Sequence, residues 1–224
     1  MTATRHKRSK SSARRLATVA FVITVALLIV VLRLVEQIGP ERQPGDRFIV
    51  HRIIDGDTVE LLGGDKLRLL AIDTPERGEP FFDEATSLLG RLVLGKKATI
   101  KYADRRRDRY GRLLGYLYID SLFVNQVLLD SGLAYVYLFG DDEFERPEVA
   151  GLLEAQRRAI GRGTGLWSVQ HEPEEYYVSP VGSYRLHRPS CSSVRNLAAN
   201  RRRVFSTREE GLAAGLSPCR NCKP

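Results

Sequence analysis

Residues 53–77 read IIDGDTVELLGGDKLRLLAIDTPER, a stretch in which two short apolar runs with strand-like patterning carry a set of charged side chains. Ile53, Ile54, Val59, Leu61 and Leu62 flank Asp55-Gly56-Asp57, and Leu67, Leu69, Leu70 and Ile72 form a second run that stops at Asp73-Thr74-Pro75-Glu76. Asp-Gly favours a tight turn, and Gly63-Gly64 marks another between the runs. Asp57, Asp73, Glu76 and Arg68 can therefore converge at the ends of neighbouring strands. Strands are rigid mounts, and three carboxylates beside a guanidinium suit a hard cation with an anionic substrate.

Outward from this stretch, residues 47–54 and 97–102 read as strands, with an amphipathic helix over 79–94 between the second run and the latter. Residues 105–109 read as a charged turn, 113–119 as a strand, 122–129 as a short helix and 134–138 as an extended aromatic run. A helix over 147–160 ends at Gly161 and Gly163, followed by Gly165-Leu166-Trp167. About five strands, with a helix between the third and fourth and helices at the end, predict a small Greek-key β-barrel with helices (α+β), an OB-fold, over residues 46–170.

Composition narrows the class. The chain has 224 residues, 43% hydrophobic and 28% charged, as in globular proteins. Its net charge of +8 says little about a substrate, because residues 1–15 carry six basic residues and no acid. That basic tail precedes an uncharged run over residues 16–32, and the expected transmembrane signal-anchor helix covers 16–35, with Arg33 snorkelling. The positive-inside rule puts the N-terminus in the cytoplasm and the rest of the chain outside the membrane. A cleaved signal peptide, giving a secreted protein, is the alternative, and residues 36–45 read as a linker.

DGDTVEL, RLLAIDTPE and DRYGRLLGYLY, in this order and spacing, resemble the staphylococcal nuclease (thermonuclease) family, over about residues 46–168. The resemblance implies a calcium-dependent endonuclease that hydrolyses DNA and RNA to 3′-phosphate products. It implies that Asp57, Asp73 and the Thr74 carbonyl bind Ca2+, that Glu76 stands beside the attacking water, and that Arg68 and Arg112 contact the scissile phosphate. Arg109 and Tyr110 fall where the family has a basic residue and a tyrosine near the terminal phosphate. The chemistry is coherent: a hard cation and two guanidinium forks offset the charge that builds on a phosphoryl group, and a carboxylate can take a proton from water.

The same residues have plainer uses. Asp55 and Asp57 can make an Asx turn, and Arg68 can pair with Asp65 or Glu60. Arg105, Arg106 and Arg107 suit a solvated loop, and Tyr135, Tyr137 and Phe139 can either pack or stack on bases. The alternative function is a non-catalytic nucleic-acid-binding OB-fold at the cell surface. The full charged set favours an enzyme.

The three cysteines all lie in the last 34 residues, as His187-x3-Cys191 followed by Cys219-x2-Cys222. Three thiolates and an imidazole are a ligand set for structural Zn2+. Residues 176–224, too few for a large core, form a zinc-stabilised α+β module resembling the zinc-binding domain of Ada-type DNA methyl-phosphotriester repair proteins. That domain uses four cysteines and methylates the first; His187 stands in that place here, so zinc binding without methyl transfer is expected. Ser206-Thr207-Arg208-Glu209 reads as a capping box opening a helix.

Overall fold

β1 (Arg47–Ile53) pairs antiparallel with β2 (Thr58–Leu61) across the Asp-Gly-Asp turn, and β2 pairs antiparallel with β3 (Lys66–Leu69) across Gly63-Gly64. The computed structural model describes residues 18–31 and 47–224. β5 (Lys97–Arg107) joins the other side of β1, β6 (Leu113–Ile119) pairs with β5, and β7 (Leu122–Phe123) lies beyond β6. β3 also pairs in parallel with β6, with Leu67 opposite Leu113 and Leu69 opposite Gly115. That pairing closes the sheet into the expected five-strand OB-like barrel.

Successive strand residues face opposite sides of a sheet, so Val50, Val59, Leu61, Leu67, Leu69, Ile100 and Leu117 point inward and are at most 1% exposed. Gly115 is required where β3, β5 and β6 crowd: a Cβ there meets Ile100 Cγ2 at 2.4 Å and the Lys101 carbonyl at 3.1 Å. α2 (Phe82–Val93) buries Ala85, Leu89 and Val93. α3 (Val124–Asp130) supplies the buried Asn125, which accepts from the Leu117 N–H at 3.0 Å and donates to the Leu70 carbonyl at 2.8 Å. The short β4 (Ile72–Asp73) pairs with β8 (Tyr135–Val136), which fixes Asp73 opposite Tyr135.

After the short α4 (Asp141–Phe144), α5 (Pro147–Arg162) starts at its proline and ends at Gly163, whose φ of 60° forms the left-handed cap. Gln156 of α5 accepts from the Val136 N–H and donates to the Leu212 carbonyl, so one buried amide ties barrel to C-terminal module. The module pairs β9 (Tyr177–Pro180) antiparallel with β11 (Arg202–Phe205), and β10 (Arg185–Leu186) in parallel with β12 (Ser217–Pro218). α6 (Arg208–Ala213) packs Leu212 with Tyr177, Leu186 and Leu216. Residues 47–224 lie in one compact unit.

Several local expectations need correction. β5 runs on to Arg107, because Arg107 pairs with Leu113 and its guanidinium reaches Asp65 at 3.1 Å, so the charged turn shrinks to residues 108–112. α2 starts at Phe82, not Glu79, since Phe81 is left-handed (φ 68°). Residues 122–123 are strand before the helix begins. The capping box is shifted by one: Thr207 Oγ1 accepts from the Glu210 N–H, and Glu210 accepts from the Ser206 N–H at 2.8 Å.

At the N-terminal end, residues 18–31 form α1 with exposed apolar side chains. At 1.5 Å per residue this helix is about 21 Å long. Among the described residues, no helix is long and apolar enough to cross a membrane. The expected span of 16–35 extends past α1 at both ends, and residues 16–17 and 32–35 lie outside the described residues, as do the tail (1–15) and the linker (36–45).

Candidate metal and phosphate site

The Asp55 carboxylate accepts from the Asp57 N–H at 3.1 Å, an Asx turn that aims the Asp57 side chain into the barrel end. Gly56 must be glycine there, since a Cβ comes within 2.6 Å of Thr74 Oγ1 and 2.8 Å of Ala85 Cβ. Buried, Asp57 accepts from the Thr58 hydroxyl through Oδ1, and from the Thr74 N–H and hydroxyl through Oδ2 at 3.1 and 3.2 Å.

Arg68, on β3, is the hinge of the arrangement. Its Nη1 donates to the Leu69 and Ile72 carbonyls at 2.7 and 2.8 Å. Its Nη2 lies 2.9 Å from Asp57 Oδ2 and 2.8 Å from Asp73 Oδ1. One guanidinium nitrogen thus bridges two carboxylates, with its fork fixed by backbone. The alternatives are taken by others: Asp65 pairs with Arg107, and Glu60 with Arg52.

Burial pushes Asp57 up to about 7; Arg68 opposes this, while the like charges of Asp55 and Asp73 add to it. A buried acid flanked by Asp55 and Asp73, with Arg68 shared and a second arginine, Arg220, on Asp73, is short of positive charge. Hard oxygen donors with that deficit fit Ca2+ chemically, with Asp57 and Asp73 the residues that would hold it.

Glu76 stands further out, its side chain 69% exposed. Arg112 directly precedes Leu113, which faces Leu67, so it leaves β6 beside the strand that carries Arg68. Its Nε donates to Asp108 Oδ2 at 2.7 Å, and its guanidinium sits 5.6 Å from the Tyr110 ring. Arg109 donates to the Tyr110 hydroxyl at 2.6 Å and stacks 4.7 Å from the same ring. The exposed Arg109 and Tyr110 and the half-buried Arg112 are thus one cationic cluster on the 108–112 turn. Of the aromatic run, Tyr135 packs edge-on against Trp167, while Tyr137 meets the exposed Phe139 and carries the Arg185 guanidinium 3.7 Å above its ring.

Sequence reasoning misses two members of the site. Arg220 Nη2 lies 3.1 Å from both Asp73 oxygens and 3.5 Å from Glu76 Oε1. Lys223 donates to Glu79 Oε1 at 2.6 Å. The carboxylates, Asp73 foremost, raise the pKa of Arg220 further. Nothing local foretells either contact.

The second cluster is His187, Cys191, Cys219 and Cys222, whose ligand atoms all lie within 4.8 Å of one another. The β10–β12 pairing sets this up, with Cys219 N–H donating to the Leu186 carbonyl beside His187. All three cysteines are free, His187 Nδ1 is buried without a partner among the described residues, and burial pushes Cys222 up to about 12. Three thiols gathered round an orphaned imidazole nitrogen, with Cys222 held protonated by burial, fit a thiophilic cation, which ionises the thiol and satisfies the nitrogen.

Comparison with known proteins bears on the barrel. A family model described as "Staphylococcal nuclease homologue" matches residues 66–169. An "Uncharacterized endonuclease" of Escherichia coli O157:H7 is 37% identical over 123 residues, covering 53% of this chain and 75% of that protein. A thermonuclease of Staphylococcus hyicus is 26% identical over 173 residues, 69% of this chain and 99% of the relative. A micrococcal nuclease of Shigella flexneri is 29% identical over 139 residues, 57% of this chain and 76% of the relative. With a closed OB-like barrel, the charged cluster at its end and relatives of this identity and coverage, the chain belongs to the staphylococcal nuclease family.

Proposed function

We propose that this chain is a calcium-dependent endonuclease that hydrolyses phosphodiester bonds of DNA and RNA, leaving 3′-phosphate and 5′-hydroxyl ends. The observation that carries the reading is the single Arg68 nitrogen bridging Asp57 and Asp73 at 2.9 and 2.8 Å. Asp57, Asp73 and the Thr74 carbonyl are the calcium ligands in this reading. Calcium, when bound, supplies charge neutralisation at the phosphoryl oxygens.

The chain's own residues do the rest. Arg68 and Arg112 present guanidinium forks to the scissile phosphate; arginine keeps its charge at any working pH, and the fork matches paired phosphate oxygens. Glu76, exposed beside the bridged acids, orients the attacking water and takes its proton. The water oxygen bonds to phosphorus as the bond to the 5′-oxygen breaks, and that oxygen takes a proton from solvent water and leaves as the 5′-hydroxyl. Arg109 and Tyr110 bind a flanking phosphate of the strand.

The His187, Cys191, Cys219 and Cys222 cluster holds a structural Zn2+ in this proposal, without methyl transfer, because imidazole cannot replace the accepting thiolate. We also propose that the nuclease unit works outside the cytoplasm, on a membrane anchor or, after cleavage, secreted. The basic residues preceding the apolar run and the exposed Phe21, Ile23, Leu27 and Leu28 of α1 support this. The reading is tested on the full-length protein in mild detergent, with single-stranded DNA, with calcium and then with chelator. Calcium-dependent cleavage lost in Arg68→Ala and Glu76→Gln supports it; no cleavage, with DNA still bound, returns the chain to a binding protein.

A further inference from the structure

The acids of the barrel are met by cations from the far end of the chain. Arg220 lies between Cys219 and Cys222, so the loop that offers two thiolates to a metal also presents this guanidinium. It spans both oxygens of Asp73 at 3.1 Å and reaches Glu76 at 3.5 Å. One turn of the same loop later, Lys223 holds Glu79 at 2.6 Å, and the other Glu79 oxygen accepts from the Glu76 N–H at 2.9 Å. The segment from Asp73 to Glu79 is thus clasped at both ends by the metal-binding loop.

Glu76, an exposed glutamate, needs such a clasp. A free glutamate side chain samples many rotamers, whereas a carboxylate serving a reacting water must be held within about 0.5 Å. We propose that Arg220 is a positioning residue of the nuclease site: it orients Asp73 and Glu76, and through it turnover depends on the C-terminal metal loop. The inference rests on the nuclease reading above. It has an opposed electrostatic consequence, because a cation on Asp73 also repels a divalent ion there.

Calcium binding and catalysis therefore respond in opposite directions. Full-length Arg220→Ala and Arg220→Lys are compared with the unaltered protein for Ca2+ affinity by calorimetry without nucleic acid, and for kcat and KM on single-stranded DNA. Arg220→Ala is expected to bind calcium about fivefold more tightly, the scale of a partly exposed ion pair. Its kcat is expected to fall about 10–100-fold, with KM within about threefold. Arg220→Lys returns the calcium affinity towards the original and restores part of kcat. Tighter calcium with faster turnover means that Arg220 obstructs the site and overturns the proposal. Weaker calcium with slower turnover marks a merely structural role, and no change in either marks none; both overturn it. An unaltered protein that binds calcium but cleaves nothing defeats the nuclease reading and this inference with it. An active one indifferent to Arg220→Ala defeats this inference alone.

Discussion

The Arg220 guanidinium and the Asp73 carboxylate are 147 positions apart in sequence and 3.1 Å apart in the fold. The barrel and the C-terminal module are therefore joined at the site by an ion pair, and elsewhere by Gln156 and by Arg208, whose guanidinium donates to the Tyr135 hydroxyl and the Pro224 carbonyl.

Asp57 sets a pH dependence. In the metal-free fold its carboxyl is raised to about 7, above its unfolded value, so the folded state holds a proton that the unfolded state has already lost. Its contribution to stability is full at acid pH and declines as pH rises towards 7, by up to about 1.4 kcal/mol per unit. Calcium needs the ionised form, so its affinity should weaken up to about tenfold for each unit below 7, with release of up to one proton. Calorimetry in buffers of different ionisation enthalpy reads both; a calcium affinity flat from pH 5.5 to 8 contradicts the assignment.

Arg68→Lys keeps the charge but loses the fork that spans two backbone carbonyls and two carboxylates. The loss in kcat should be about 10²–10³-fold, comparable with removing one donor aimed at developing charge. Steady-state cleavage checks this, and near-wild-type turnover contradicts it.

Asn125→Ala strands the Leu117 N–H and the Leu70 carbonyl inside the core. Each unsatisfied group costs about 1–3 kcal/mol, so urea denaturation should show a loss of about 2–6 kcal/mol, with site chemistry retained under folding conditions. A change below about 1 kcal/mol means that the amide does not bridge β6 and the β3–β4 turn.

Removal of the C-terminal metal should unfold part of the module. Zinc content, measured by mass spectrometry, should be one ion per chain. His187→Ala should weaken zinc binding more than about a hundredfold, beyond the loss typical of a residue behind the ligands. Full stoichiometry and unchanged affinity in that variant count against His187 as a ligand.

What can be read from the sequence divides by range of interaction. The strands around Asp57 and Arg68 are legible because alternation and Gly turns act over a few residues. So is the His187–Cys222 set, from its spacing alone. The β5 extension is not: Arg105, Arg106 and Arg107 look like a loop until Arg107 finds Asp65, 42 positions away. Arg220 resembles any solvated arginine, since its partner is chosen by how two pieces of the chain pack. Thr207 and Ser206 are equally good caps locally, and the paired β11 fixes where the helix can start.

The most direct test of the central claim is cleavage of single-stranded DNA by the full-length protein at fixed calcium, followed by chelation, with analysis of the product ends. Endonucleolytic products bearing 3′-phosphates are expected, abolished by chelator and reduced about 10²-fold or more in Arg68→Ala. Cleavage that persists in chelator, or that Arg68→Ala leaves unchanged, contradicts it.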